Sequence, residues 1–380
     1  MPGCVPSEGH AAIDRIRPRR PPHPPEAPLQ DLYSPDRDRY WSDDHPVLEL
    51  IRARKAAGTR PGAHGDGHRL GLAVEGGGMR GVVSAAMLTA LDDLGLRDAF
   101  EDIYSCSSGS VNAAYFAGGE TWYPLTIYFD DLATKQFVDM RRFASRRGIL
   151  NLDYVFEQVL ETVKPLDYDR ILQAPAGFHV AVTLVDELRT ESVADFRDKD
   201  DLREGLRASC WLPVAVPGAG TFRGRRAVDG GVLTAHPYLL ALADGCTHVL
   251  SLSTKPLRAP GRPSPGRRLS ALYMERIRKG LGRGYLANLD RYRTQRRQLQ
   301  EWMTDPGTGP HVLDLAPLPW MPEVRRHEMS LGALLTAARQ AHAIMHAAVT
   351  GIPATRLRDG TFASLPRFTT VDGGVRADAD

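Results

Sequence analysis

The chain has 380 residues, 42% of them hydrophobic and 25% charged, a composition suited to one large globular domain or two small ones. Its start shows no basic stub leading into an apolar stretch, and nowhere do about 18 apolar residues follow one another. Secretion and membrane spanning are therefore disfavoured, and the expected location is the cytoplasm. The four cysteines, Cys4, Cys106, Cys210 and Cys246, have neither zinc-site spacing nor the density of a disulfide framework. They read as free thiols, and no metal is expected. The formal charge of +2 hides an asymmetry: Arg258 to Met303 holds twelve Lys or Arg against the acids Glu275, Asp290 and Glu301, so the remainder is net acidic.

Taken in order, residues 1 to about 44 combine prolines with arginines and aspartates without apolar periodicity, and predict an irregular arm. Val47, Leu48, Ile51 and Ala56 predict a short helix, with Gly58 to Gly67 a flexible connection. Leu70 to Glu75 is an apolar run ending at glycines, as a buried parallel strand does. Val83, Ala86, Met87, Ala90, Leu91 and Leu94 then recur at helical spacing until Gly95. A second strand-turn-helix unit follows, from Asp102 through a serine turn to Val111, Ala114, Tyr115 and Gly118. Two such units imply a parallel sheet with right-handed crossovers. Thr121 to Leu172 reads as a helical insertion placed to cover a site. His179 to Val185 and Arg189 to Val193 read as two strands around Asp186-Glu187. A helix ending at Cys210, a strand over Phe222 to Val228 and another over His248 to Ser253 continue the α/β alternation. Beyond the linker Pro256 to Gly266, helices around Leu269 to Ile277 and Leu281 to Tyr292, a strand at Val312 to Leu315 and a helix from Leu331 to Val349 complete the chain.

Three stretches carry chemistry. Gly76, Gly78 and Gly81 fit G-x-G-x-x-G between strand and helix, but the acidic residue that a dinucleotide fingerprint expects after the second strand is replaced by Ser105-Cys106-Ser107. Amides at a helix N-terminus lack carbonyl partners and sit at the positive end of the helix dipole, so Gly76, Gly77 and Gly78, with Arg80, suit an oxyanion. Ser107 stands where a nucleophile elbow places its serine, with Gly109 two residues on and Ser105 in place of the usual first glycine. Ser108 and Ser110 are its neighbours. A serine nucleophile needs a base; Asp229, at a strand end before Gly230 and Gly231, is one candidate, and His236, His248, His311 and His327 are others.

Glu75-Gly-Gly-Gly-Met-Arg-Gly81, Cys106-Ser-Ser-Gly-Ser-Val-Asn112 and Val228-Asp-Gly-Gly-Val-Leu-Thr-Ala-His-Pro237, in this order, resemble the patatin-like phospholipases over roughly Leu70 to Pro256. The resemblance implies an α/β fold of three layers, α/β/α, around a mainly parallel sheet, with a helical insertion and C-terminal helices. It further implies a cofactor-free Ser-Asp dyad cleaving lipid acyl esters: Ser107 as nucleophile, Asp229 as base, Gly76 to Gly78 and Arg80 holding the oxyanion, and Gly81, Gly109, Gly230 and Gly231 shaping the turns. On that reading residues 1–68 are an arm and short helix, 69–256 the catalytic core and 257–380 a basic helical region packed on it. The basic stretch Arg258 to Arg297 becomes a peripheral contact with the inner membrane face, or a solvated helix face. Nucleic acid is not an expected partner. Two other readings remain open: a non-hydrolytic lipid-binding or regulatory protein on the same fold, and a nucleotide-dependent oxidoreductase using the glycine turn.

Overall fold

The computed structural model describes residues 40–144, 148–234, 236–256, 265–304, 307, 310–358, 367–371 and 374–378. The N-terminal arm up to residue 39 and most of the linker, including Arg258, lie outside the described residues. An eight-stranded mixed sheet organises the rest: β1 (Leu70–Val74), β2 (Asp102–Cys106), β3 (Gly177–Leu184), β4 (Arg189–Val193), β5 (Gly220–Phe222), β6 (Arg225–Asp229), β7 (His248–Leu252) and β8 (His311–Leu315). The β3–β2–β1–β7–β8 portion is parallel, with Leu72 opposite both Ile103 and Leu250. β4, β5 and β6 join antiparallel.

Side-chain alternation along these strands makes the layers. Leu70, Leu72, Val74, Leu250, Leu252, Leu313 and Leu315 belong to the larger core, beside the helices Val82–Asp93, Ser108–Gly118 and Leu331–Thr350. Ala73, Tyr104, Val249 and Val312 point the other way and pack with Tyr238, Ala241 and Leu299, from the helices Tyr238–Ala243 and Leu281–Thr304. This is the three-layer α/β/α arrangement. β8, contributed from beyond residue 257, extends the same sheet.

Four local features differ from the expectations. The connection after the helix Pro46–Ala57 is pinned, because buried Arg54 bonds Asp66 at 2.8 Å and Glu101 at 2.7 Å. The strand expected over Phe222 to Val228 is a hairpin, β5 and β6, turning at Arg223-Gly224. The insertion contains a π-helix, Tyr154–Val163, and a C-terminal hairpin, β9 (Arg367–Val371) with β10 (Gly374–Asp378), carries no signal that the sequence reading used.

Candidate active site

β3 is longer than its neighbour β2, and this brings the two key side chains together. β2 ends at Cys106, opposite Ala181; Asp229, the last residue of antiparallel β6, pairs with Val182. Because β4 occupies the other edge of β3 over residues 180–184, β6 takes the edge that β2 vacates. The C-termini of two strands thus meet head-on, with Ser107 following one and Asp229 ending the other. Cys106 Sγ lies 3.6 Å from Asp229 Oδ1.

Ser107 has φ 58° and ψ −138°, a left-handed conformation that non-glycine residues rarely adopt and that is characteristic of strained functional turns. Its amide donates to Ser209 Oγ at 2.9 Å, and Ser209 also meets Ser110 Oγ at 3.1 Å. Ser105 does not disturb the elbow: its side chain turns into the sheet and donates to the His179 carbonyl at 2.8 Å. Ser108 Oγ accepts from the Gly77 amide at 3.0 Å. Ser108 and Ser110 are therefore engaged in holding the two turns.

Those turns pack in direct contact. A Cβ on Gly76 would sit 2.4 Å from the Cys106 carbonyl oxygen and 2.7 Å from Ser107 Cβ; one on Gly109 would sit 2.6 Å from the Val74 carbonyl oxygen. No L side chain fits either place. The Gly76 and Gly78 amides meet no acceptor among the described residues, whereas Gly77 is held by Ser108. The Gly81 carbonyl accepts from Asn112 Nδ2 at 2.9 Å, and Tyr128 donates to Asn112 Oδ1 at 2.9 Å. Arg80 is buried, curls back beneath Gly77 and donates to Thr254 Oγ1 at 3.1 Å.

Asp229 is buried, and burial pushes its carboxyl above the usual range, while the Ser107 hydroxyl within hydrogen-bonding reach and the Gly231 amide at 2.7 Å pull the other way. A raised carboxylate is a better proton acceptor than one free in water. The following turn is clamped from two sides: Thr183 donates to the Gly230 carbonyl at 3.2 Å, and Asn288 to those of Gly231 and Val232 at 3.0 and 3.2 Å.

Beneath the glycine turn lies a buried polar network that the sequence reading did not identify. Glu75 accepts from the Thr254 amide at 2.6 Å and from Tyr292 Oη at 3.1 Å. Burial alone raises a carboxylate, but Lys255, His236 and Arg80 together outweigh it and bring Glu75 down to about 2. Thr254 Oγ1 also donates to the Gly76 carbonyl at 2.9 Å. Arg296 forms a buried pair with Asp314 at 2.6 Å and holds the Lys255 carbonyl. Part of the basic stretch thus points inward. Thr254, Asn288, Tyr292 and Arg296 lie far from the motifs along the chain, so only tertiary structure reveals their contacts.

The motifs open onto a cavity of about 280 Å³. Ser107, Asp229 and Gly76 to Gly78 line it, and the insertion supplies most of its apolar lining through residues such as Ile127, Phe137, Leu152, Val155 and Phe156. Of the candidate histidines, His327 lines the cavity. His236 is buried and stacks on Tyr292 at 4.1 Å, and His248 stacks on His311 at 4.8 Å.

Residues 72–242 match the family model described as "Patatin-like phospholipase". Over this segment the chain is similar to the patatin-like phospholipases, and the three-layer α/β/α arrangement around the mainly parallel sheet agrees with that match. Among similar proteins is the Escherichia coli "Uncharacterized protein YjjU", 23% identical over 72% of this chain and 73% of its own length. The mouse "1-acylglycerol-3-phosphate O-acyltransferase Pnpla3" is 28% identical over 38% of this chain and 34% of its own length. The mouse "Omega-hydroxyceramide transacylase" is 34% identical over 22% of this chain and 14% of its own. The chain therefore spans about a third or less of the named mouse enzymes.

Proposed function

We propose that the chain hydrolyses acyl esters of lipids through a Ser107–Asp229 dyad. The observation that carries this reading is the meeting of a strained serine elbow with a buried, pKa-raised aspartate in the lining of a mostly apolar cavity. Asp229 accepts the Ser107 proton as Oγ attacks the acyl carbonyl carbon. The Gly76 and Gly78 amides, without an acceptor among the described residues, donate to the resulting oxyanion, each such donor lowering a barrier by about 3 kcal/mol. The ester C–O bond then breaks, and the alcohol leaves with the proton held by Asp229. Water attacks the acyl-enzyme, giving its proton to Asp229; as the C–Oγ bond breaks, that proton returns to Ser107 and the acid is released. Arg80, bonded to Thr254, acts by shaping the glycine turn from below.

A fluorophosphonate probe tests the dyad. Labelling of the wild type, absent in Ser107→Ala and reduced at least about a hundredfold in rate in Asp229→Asn by the usual worth of a general base, is expected; absence of wild-type labelling overturns the reading. Product analysis with and without an added alcohol acceptor separates hydrolysis from acyl transfer, the activity in the printed names of two relatives.

A peripheral lipid contact is part of the same proposal. No described helix is long and apolar enough to cross a membrane. On the helix Pro265–Ile277, Met274 and Ala271 are buried, whereas Leu269 and Leu272 are 62% and 65% exposed. Exposed Arg268 and Arg276 share that outward face, a pattern that suits an anionic lipid surface.

A further inference from the structure

We infer that the helix Leu281–Thr304 splints the site: Asn288 is a positioning residue for Asp229, and Tyr292, one turn on, is a positioning residue for the glycine turn. These roles rest on the Ser107–Asp229 reading and add to it two residues that touch neither substrate nor reacting atoms. Both lie beyond residue 242, where the match to the family model ends.

Gly284, Asn288, Tyr292 and Arg296 recur every four residues and so follow one another along one side of the helix. Gly284 lets the helix come close, since a Cβ there would sit 2.6 Å from Leu233 Cδ2. Asn288 is 2% exposed, and its amide donates to the Gly231 and Val232 carbonyls at 3.0 and 3.2 Å. A buried amide is costly unless it is bonded, and here its acceptors belong to the turn after Asp229, not to its own helix. Tyr292, also buried, donates to Glu75 at 3.1 Å.

Each contact is one residue removed from a proposed reacting group. Gly231, in the cavity lining, has its carbonyl on Asn288 and its amide on Asp229 Oδ1 at 2.7 Å. Glycine has the widest choice of φ and ψ, so holding its carbonyl removes the freedom that would swing its amide away from the carboxylate. The Gly230 carbonyl is held separately, by Thr183 and by the amides of Leu233 and Thr234. On the other side, Glu75 leads directly into Gly76, and its carboxylate is fixed at one oxygen by Tyr292 and at the other by the Thr254 amide at 2.6 Å. One helix face therefore fixes the base and the oxyanion amides relative to each other.

The two positions have different signatures. The Gly231 bond favours the charged form of Asp229 and opposes the effect of burial. Ser107, Arg326 and Cys106 act in the same direction as Gly231; the Cys106 and Cys210 thiols are themselves pushed up by burial and stay neutral. Releasing the Gly231 amide raises Asp229, so the acid limb of labelling, where the base becomes protonated, moves to higher pH. Losing the Tyr292 hydroxyl leaves that limb in place and lowers the limiting rate.

Full-length Asn288→Leu, Asn288→Gln and Tyr292→Phe are compared with the wild type in fluorophosphonate labelling, as a function of pH and of probe concentration. Asn288→Leu keeps the volume and removes the donor. Its acid limb is expected to rise by about one pH unit, the usual worth of a hydrogen bond to a carboxylate, and Asn288→Gln, which retains an amide, is expected to recover part of that shift. Tyr292→Phe is expected to label about fivefold more slowly at saturating probe, with half-saturation unchanged. In parallel, the Asp229 carboxyl carbon is titrated by NMR in aspartate-labelled protein, its signal identified by loss in Asp229→Asn; it should rise by the same amount in Asn288→Leu. Asn288→Ser takes its place if Asn288→Leu fails to fold. A fall in rate at every pH with no shift of the limb or the carbon signal, or wild-type behaviour of Tyr292→Phe, overturns the assignment. The NMR titration needs no turnover, so the expected shift in a protein that resists the probe refutes the hydrolase reading alone.

Discussion

Ser105 and Gly76 show how much depends on single atoms at the elbow. Ser105 occupies the place where the motif has glycine, yet its hydroxyl reaches the His179 carbonyl at 2.8 Å and leaves Ser107 in its left-handed conformation. The hydroxyl thus finds an acceptor inside the sheet instead of a clash with the glycine turn. Gly76 has no such latitude, since an added methyl meets a backbone oxygen at 2.4 Å. Gly76→Ala is therefore expected to cost about 1–3 kcal/mol of stability by overpacking and to slow fluorophosphonate labelling more than its stability loss accounts for. Chemical denaturation alongside labelling rates checks this, and wild-type labelling in the variant counts against the close packing of the two turns. Ser107 and the glycines stood out in the sequence because their motifs are local. Asp229 was one candidate among several until the resemblance singled it out. Ser209, over a hundred residues from the amide it holds, had no signal at all.

At the scale of elements, the long helix Leu281–Thr304 departs most from its sequence reading. Its density of basic residues reads as a charged surface, but Tyr292, Asn288 and Arg296 reach Glu75, the turn after Asp229, and Asp314. Composition counts charges and cannot say which face of a helix carries them. The preceding helix, Pro265–Ile277, does present arginines outward, with Leu269 and Leu272 between them. Replacing both leucines by serine removes apolar area from a surface site and should leave the melting temperature nearly unchanged, while weakening sedimentation with anionic vesicles several-fold. Unaltered vesicle binding would show that this face is merely solvated. The strands and helices of the parallel portion were legible from periodicity; the β5–β6 hairpin was not, because Arg223-Gly224 interrupts a run whose flanks both favour strand.

For the molecule as a whole, one source of acid sensitivity lies at the end of the sheet where β7 and β8 begin. His248 meets His68 edge to face and stacks on His311, and His45 is buried with His311 acting on it. Burial first, then neighbouring histidines, lowers His45 and His248 to about 4 each. These imidazoles are neutral in the folded chain, whereas in the unfolded chain they take protons near pH 6.5. Stability should therefore fall as pH drops from about 6.5 towards 4, because the unfolded state binds protons first. Urea midpoints at pH 7.5 and 5.0 measure the effect, which His248→Asn should reduce; a midpoint indifferent to pH across that window would refute it.

The head-on meeting of β2 and β6 along one edge of β3 makes the dyad a joint between distant stretches of chain. Neither strand alone presents both proposed groups: β2 delivers Ser107 with its elbow, and Asp229 arrives only when the later hairpin closes the remaining edge. On the proposed mechanism, catalytic competence is thereby a sensor of sheet completion. A chain whose β1–β2–β3 register is formed but whose β5–β6 hairpin is undocked keeps most of its parallel core while Ser107 lacks its proposed base, and the proposed mechanism gives such a chain no turnover.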